Sequence, residues 1–241
     1  PILLTMPVVY WIEKIAKKIS PTLLKSVLIP AITIIGSLPL MIVVTAPIAQ
    51  MISEVLGQGI QYIYSHFAIL GGLIIGATCP YFVLTGIHQA TAIPIVLNEL
   101  ASVGYSVVFP ILGFGNAAVA GSALGVALKT KNKELKQLAS SSGFTAVMGI
   151  TEPCLYGVLL KLKRPFVASM IGGAIGGIYA GVVGLVRYAF VSPGLTAIPA
   201  FIGENPMNVV HAIITIIISF VAGFVASWIL GFKDEEDNMT A

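Results

Sequence analysis

The chain has 241 residues, of which 57% are hydrophobic and 10% charged, with 13 Lys and Arg against 10 Asp and Glu and a formal net charge of +3. Soluble domains carry roughly 25% charged residues, so this composition and a mean hydropathy of +0.98 exclude an ordinary soluble domain and place the chain in a membrane. The basic residues fall in short runs between long apolar stretches, which suits membrane loops and excludes a broad nucleic-acid surface.

The N-terminus, Pro1-Ile2-Leu3-Leu4-Thr5-Met6-Pro7, has no charged leader with a small-residue cleavage site and reads as the interior of something longer. Residues 11–20, WIEKIAKKIS, put Ile12, Ile15, Ala16 and Ile19 on one helical face and Glu13, Lys14, Lys17 and Lys18 elsewhere. That pattern predicts an amphipathic helix at the membrane surface. About 20 apolar residues cross a hydrocarbon core, and residues 26–50, 67–98, 105–128, 165–186 and 208–231 supply such stretches. Pro30, Pro39 and Pro47 in the first are tolerable where neighbouring helices satisfy the freed carbonyls. The expected fold class is all-α: a polytopic integral membrane helical bundle over residues 1–232, followed by a charged linker or tail at 233–241.

Residues 138–160 are also apolar but lie between two basic clusters, Lys129/Lys131/Lys133/Lys136 and Lys161/Lys163/Arg164. Short cytoplasmic loops are enriched in Lys and Arg, and a single crossing would put the clusters on opposite sides. The simplest reconciliation is a re-entrant hairpin that enters from the cytoplasm and turns near Gly149-Ile150-Thr151-Glu152-Pro153; the alternative is one ordinary helix with a misplaced basic loop. Irregular backbone at membrane depth belongs where it lines a cavity.

Glu152 is the leading candidate for a ligand contact, because a carboxylate at the centre of a membrane segment costs about 2.5–3.5 kcal/mol on insertion scales and is normally functional. It can accept charge-assisted hydrogen bonds from two adjacent hydroxyls, which suits a sugar; a helix cap near the headgroups is the plainer alternative. Thr151 and the backbone before Pro153 add polar groups. His88, in Thr85-Gly86-Ile87-His88-Gln89, is the second intramembrane ionisable candidate, to act on the ligand or to pair with Glu152. Asn98, Glu99, Asn116 and Arg187 are secondary candidates for a polar path, with loop or interface positions the favoured reading for Glu99 and Arg187. His66 and His211 flank spans and read as interfacial.

Cys79 and Cys154 each stand beside a proline in apolar sequence without metal-ligand spacing, so neither a disulfide, a metal nor a cofactor is expected. Gly172-Gly173-Ala174-Ile175-Gly176-Gly177 with Gly181, and the pairs Gly72/Gly76 and Gly121/Gly125, form small-xxx-small repeats that let helices approach closely. Gly113-Phe114-Gly115-Asn116-Ala117-Ala118 fits a dinucleotide fingerprint but lacks a βαβ context, and Asn238-Met239-Thr240 fits a glycosylation pattern that is discarded if the chain is bacterial.

Gly149-Ile150-Thr151-Glu152-Pro153, followed by Tyr156-Gly157-Val158 and Lys161-Leu162-Lys163-Arg164-Pro165-Phe166, resembles the signature of the glucose-superfamily IIC domains of phosphotransferase-system permeases. The resemblance extends through Gly86-Ile87-His88, Pro94-Ile95, Leu97-Asn98, Gly104-Tyr105, Gly125 to Lys133, the Gly172–Gly177 run and Ser192-Pro193-Gly194-Leu195. It leans toward the β-glucoside, sucrose and trehalose branch. It implies sugar contacts by Glu152 and His88, with Thr151 as a further substrate-binding residue, to which Asn98 is added from the polar path, and a chain that forms the C-terminal two-thirds of the domain without its first helices. It also implies IIB and IIA phosphocarrier partners, a homodimer in the full-length protein and a bacterial inner-membrane location. Cys154 stands where relatives commonly have alanine, and nothing resembles a phosphocysteine segment, so phosphorylation of the sugar would depend on a IIB domain. An ion-coupled secondary transporter using Glu152 and His88 as a proton relay, and a non-transporting membrane protein, are the other function classes open to these residues.

Overall fold

The computed structural model describes residues 2–234, and apart from one isolated bridge between Ser106 and Arg187 the regular structure of these residues is helical. The chain divides into two compact units, Pro1–Gly57 and Gln58–Ala241. Four stretches among the described residues, Lys25–Ile52, Ala68–Thr85, Arg164–Val183 and Met207–Leu230, have the length and composition to cross a membrane. The protein is an all-α polytopic membrane protein.

In the first unit, α1 (Ile2–Ile19) packs on α2 (Lys25–Leu40). The amphipathic segment expected over 11–20 is thus the second half of a helix that begins at Ile2 and continues through Pro7, because the residues before Trp11 are apolar and include no glycine to end the helix. Gly36 gives room to Ile12, whose Cγ2 would lie 3.0 Å from an added Cβ. A buried hydrogen bond of 2.8 Å joins the hydroxyls of Thr5 and Thr45. Directly after Pro39, which has no N–H to close an ordinary turn, the chain widens into a π turn over Met41–Thr45 and resumes as α3 (Ala46–His66). No described side chain of α2 is buried, as lipid-facing apolar residues require.

The second unit contains α4 (Ala68–Thr85), α5 (Ile87–Val103), α6 (Phe109–Lys129), α7 (Lys133–Val147), the short α8 (Glu152–Cys154) and α9 (Leu160–Leu162) joined by a π turn at Leu155–Leu159, α10 (Arg164–Val183), a 3-10 segment at Leu195–Phe201, and α11 (Met207–Leu230). The apolar stretch 67–98 is not one span: Gly86 adopts a left-handed conformation (φ 69°), ends α4 and starts α5. Likewise the stretch 105–128 becomes helical only at Phe109, because Gly104 (φ 80°) and the Ser106–Arg187 bridge hold the preceding residues in an irregular turn.

Glycine contacts build the centre of this unit. A Cβ at Gly177 would lie 1.9 Å from the Gly72 carbonyl oxygen, and one at Gly76 would lie 2.1 Å from the Gly173 oxygen, so the backbones of α4 and α10 touch. The same happens between α6 and α11, where a Cβ at Gly121 would lie 2.0 Å from the Phe220 oxygen. In lipid there is little hydrophobic drive between helices, and this close van der Waals approach is what holds them. Cys79 and Cys154 are buried beside α6: Cys79 faces Gly115, and the Cys154 sulfur lies 3.8 Å from the Val119 carbonyl oxygen.

After α7 the chain reverses at Met148–Thr151. The returning arm lies beside the first, since a Cβ at Gly157 would lie 3.5 Å from Leu138 Cδ2, and Leu155, Val158 and Leu159 are fully buried in a cluster with Val119, Ala123 and Val126 of α6. At the far end of the bundle, Lys129 donates to the Trp228 carbonyl at 2.6 Å and Arg164 to the Leu230 carbonyl at 3.2 Å, cations on the last carbonyls of α11 where they are stabilising. Asp234 accepts from the Thr130 hydroxyl at 2.5 Å and the Lys131 amide at 2.6 Å. Of the expected tail, Lys233 and Asp234 are therefore described, whereas residues 235–241 and the Asn238-Met239-Thr240 pattern lie outside the described residues.

Candidate functional site

Three irregular segments converge on one cavity of about 490 Å³, a size within the usual range for small-molecule sites. The first is the break between α4 and α5, where Gly86 turns the chain and His88 follows in the first turn of α5. His88 Nδ1 lies 2.9 Å from the Phe82 carbonyl oxygen, which can only accept, so Nδ1 carries a proton. That contact fixes the ring and leaves Nε2 for a ligand, as an acceptor when neutral and a donor when charged.

The second segment is the reversal after α7. Gly149 has φ 102°, and a Cβ there would lie 1.4 Å from the Pro193 carbonyl oxygen, so this position takes only glycine. The amides of Gly149 and Ile150 donate back to Ala146 and Thr145, each at 3.0 Å, closing the helix end. Thr151 follows, 2% exposed, and Glu152 opens α8, exposed and without an ion pair or hydrogen bond among the described residues. Both line the cavity with His88. One turn on, the Tyr156 hydroxyl donates to the Leu84 carbonyl at 2.6 Å, tying the arm that carries Glu152 to the helix end that precedes His88.

The third segment is the loop after α10, which contributes Phe190, Val191, Ser192 and Pro193. Arg187 organises it. Its Nη2 donates to the Val191 carbonyl, its guanidinium stacks 4.2 Å from the Phe109 ring, and its backbone exchanges two hydrogen bonds with Ser106 at 2.8 and 2.9 Å. The Ser106 hydroxyl in turn donates to Glu99 at 2.5 Å. Glu99 and Arg187 therefore brace the walls, and neither lines this cavity. Asn98 does not line it either: it is exposed on α5, and its carbonyl accepts from Ser102 at 2.7 Å. Ten residues along a helix is about 15 Å from His88.

Asn116 of α6 and the stacked pair Phe109–Phe190, with ring centroids 5.2 Å apart, complete the lining. The aromatic pair is absent from the sequence-level candidates. Its members lie on separate elements, and no spacing rule joins them; two phenylalanines near Gly and Pro carry no signal of their own. The cavity thus combines a free carboxylate, a tethered imidazole, a hydroxyl, an amide and aromatic faces, a set suited to holding a polyol by hydrogen bonds on its edge and apolar contact on its face.

Residues 1–173 match the family described as "Phosphotransferase system, EIIC". Among curated relatives, the chain is 35% identical over 97% of its length to the PTS system beta-glucoside-specific EIIBCA component of Bacillus subtilis (strain 168), covering 38% of that protein. It is 39% identical over 98% of its length to the probable PTS system sucrose-specific EIIBC component of the same organism, covering 52% of it. It is 36% identical over 93% of its length to the PTS system arbutin-, cellobiose-, and salicin-specific EIIBC component of Escherichia coli (strain K12), covering 47% of it. The chain therefore spans about half the length, or less, of these relatives. No solved structure matches it significantly. The extent of the family match and these identities show that the chain belongs to the phosphotransferase-system EIIC family.

Proposed function

We propose that this chain is the membrane sugar-binding and translocating part of a phosphotransferase-system permease of a bacterial plasma membrane, and that it presents the sugar to a phosphocysteine IIB domain supplied by a IIA partner. The names of the three relatives support a β-glucoside or a glucose-containing disaccharide as the substrate. The observation that carries the reading is the meeting of Glu152 and His88, 64 residues apart, in one cavity with Thr151. Family resemblance carries the homodimeric state of the complete protein.

In this reading the 138–160 hairpin is re-entrant. Its tip, held by Gly149 against Pro193, keeps irregular backbone at membrane depth only where it lines a polar cavity. Glu152 accepts hydrogen bonds from sugar hydroxyls and His88 Nε2 makes a further one. When the site faces the cytoplasm, a sugar hydroxyl attacks the phosphorus of the phosphocysteine, the S–P bond breaks, and the hydroxyl proton passes to Glu152. Phosphoryl transfer depends chiefly on positioning and electrostatics, and this domain supplies the positioning. Glu152→Gln tests the assignment in membranes supplied with the phosphorylated IIB domain. At sugar concentrations that saturate the variant, phosphorylation is lost; an unchanged rate at saturation removes Glu152 from the reaction.

A further inference from the structure

A second cavity of about 300 Å³ adjoins the first and shares Asn116 and Pro193 with it as wall residues. Its lining is mainly apolar, with Phe114, Phe201, Phe220, Leu195 and Ile216, and the charged group in its wall is Arg187. That side chain is 1% exposed and forms no ion pair among the described residues. Glu99, the acid tied to the same turn, is engaged by the Ser106 hydroxyl instead. The rings of Phe109 and Phe201 lie 4.2 and 5.7 Å from the guanidinium carbon, and Nη2 donates to the Val191 carbonyl. Nε is buried and has no hydrogen-bond partner among the described residues.

A buried guanidinium is normally paired with a carboxylate and fully hydrogen-bonded, because an uncompensated charge is costly in a low-dielectric interior. Aromatic rings stabilise a cation through their faces, but they leave the in-plane N–H groups without an acceptor, and those donors match a carboxylate in a planar fork. The cavity therefore presents a cation on one side and aromatic and aliphatic side chains elsewhere, in a volume at the lower end of the range for small-molecule sites. We propose that it is a binding site for a small monocarboxylate with an apolar body, whose carboxylate pairs with Arg187 through Nε and whose body packs among Phe114, Leu195, Phe201 and Phe220. This ligand is distinct from the sugar: the polar cavity carries Glu152, a like charge that disfavours a carboxylate there. The two sites are nonetheless in touch, because Arg187 holds Val191 and Phe109, both in the wall of the polar cavity.

The test is calorimetric titration of the detergent-solubilised protein with benzoate, benzamide and acetate at neutral pH and constant ionic strength, with protein-free micelles as the blank. Benzamide keeps the ring and loses the charge, whereas acetate keeps the charge and loses the ring. The proposal predicts saturable binding of benzoate to wild type, tighter than benzamide by about tenfold or more, the effect of a charge-assisted hydrogen bond. Benzoate is also tighter than acetate by about tenfold or more, the effect of removing a ring from water. Arg187→Gln abolishes the advantage of benzoate over benzamide. Because that substitution also releases the Val191 carbonyl, a second variant leaves Arg187 in place and fills the cavity: Leu195→Trp, at a 43% exposed position in the 3-10 segment, weakens benzoate by about tenfold or more. The proposal is overturned by absence of benzoate binding to wild type, by benzamide or acetate binding as tightly as benzoate, or by unchanged benzoate affinity in Leu195→Trp. Each of these results leaves the sugar-binding reading standing, since no glucoside enters the measurement.

Discussion

Tyr156→Phe removes one hydroxyl, and with it the hydrogen bond that ties the arm carrying Glu152 to the helix end preceding His88. The Tyr156 hydroxyl donates to the Leu84 carbonyl at 2.6 Å, two residues before Gly86 and four before His88, while its own helical arm begins at Glu152. The bond therefore sets the spacing of Glu152 and His88. A net hydrogen bond contributes about 0.5–1.5 kcal/mol. Tyr156 is 51% exposed, so water can partly replace its hydrogen bond and the lower half of that range applies. The expected result is a loss in β-glucoside affinity of about two- to fivefold, read by calorimetry, with little change in thermal stability. Because the loss acts through the placement of His88, it is smaller in a His88→Ala background than in wild type. Unchanged affinity, or equal losses in both backgrounds, refutes the idea that Tyr156 positions the site.

Gly177→Ala places a methyl group 1.9 Å from the Gly72 carbonyl oxygen and must push α10 from α4, so it destabilises the protein by about 1–3 kcal/mol, measured as a lowered unfolding midpoint in detergent. Gly149→Ala combines a left-handed backbone with a clash against the Pro193 carbonyl; it abolishes glucoside binding while α4, α6, α10 and α11 keep their helical circular-dichroism signal.

Much of the fold was legible because membrane spans announce themselves by length and apolarity, and because glycines at i and i+4 in α4 and α10 mark a close helix crossing. The breaks were harder. A hydropathy reading runs straight through Gly86, since an isolated glycine in an apolar stretch does not declare a left-handed turn, and so 67–98 looks like one segment where α4 and α5 are two. The amphipathic reading covered only 11–20, where the charges lie, whereas the helix starts at Ile2 and runs through Pro7, because the apolar residues before Trp11 carry no charge pattern to mark a helical face. In the cavity, Glu152, Thr151 and His88 stood out because polar groups in apolar surroundings are conspicuous. Asn98 stood out by the same logic, yet helical geometry carries it away from His88. Arg187 read as a loop residue, and only the tertiary arrangement brings its guanidinium onto Phe109 and the Val191 carbonyl.

The most direct test of the account is calorimetric titration of a small panel of β-glucosides and glucose-containing disaccharides into the purified protein, alongside Glu152→Gln and His88→Ala. The account predicts saturable binding of at least one of these sugars to wild type, weakened about tenfold or more in each variant, the cost of removing a charge-assisted hydrogen bond. Absence of binding to wild type, or binding that both substitutions leave unchanged, contradicts it.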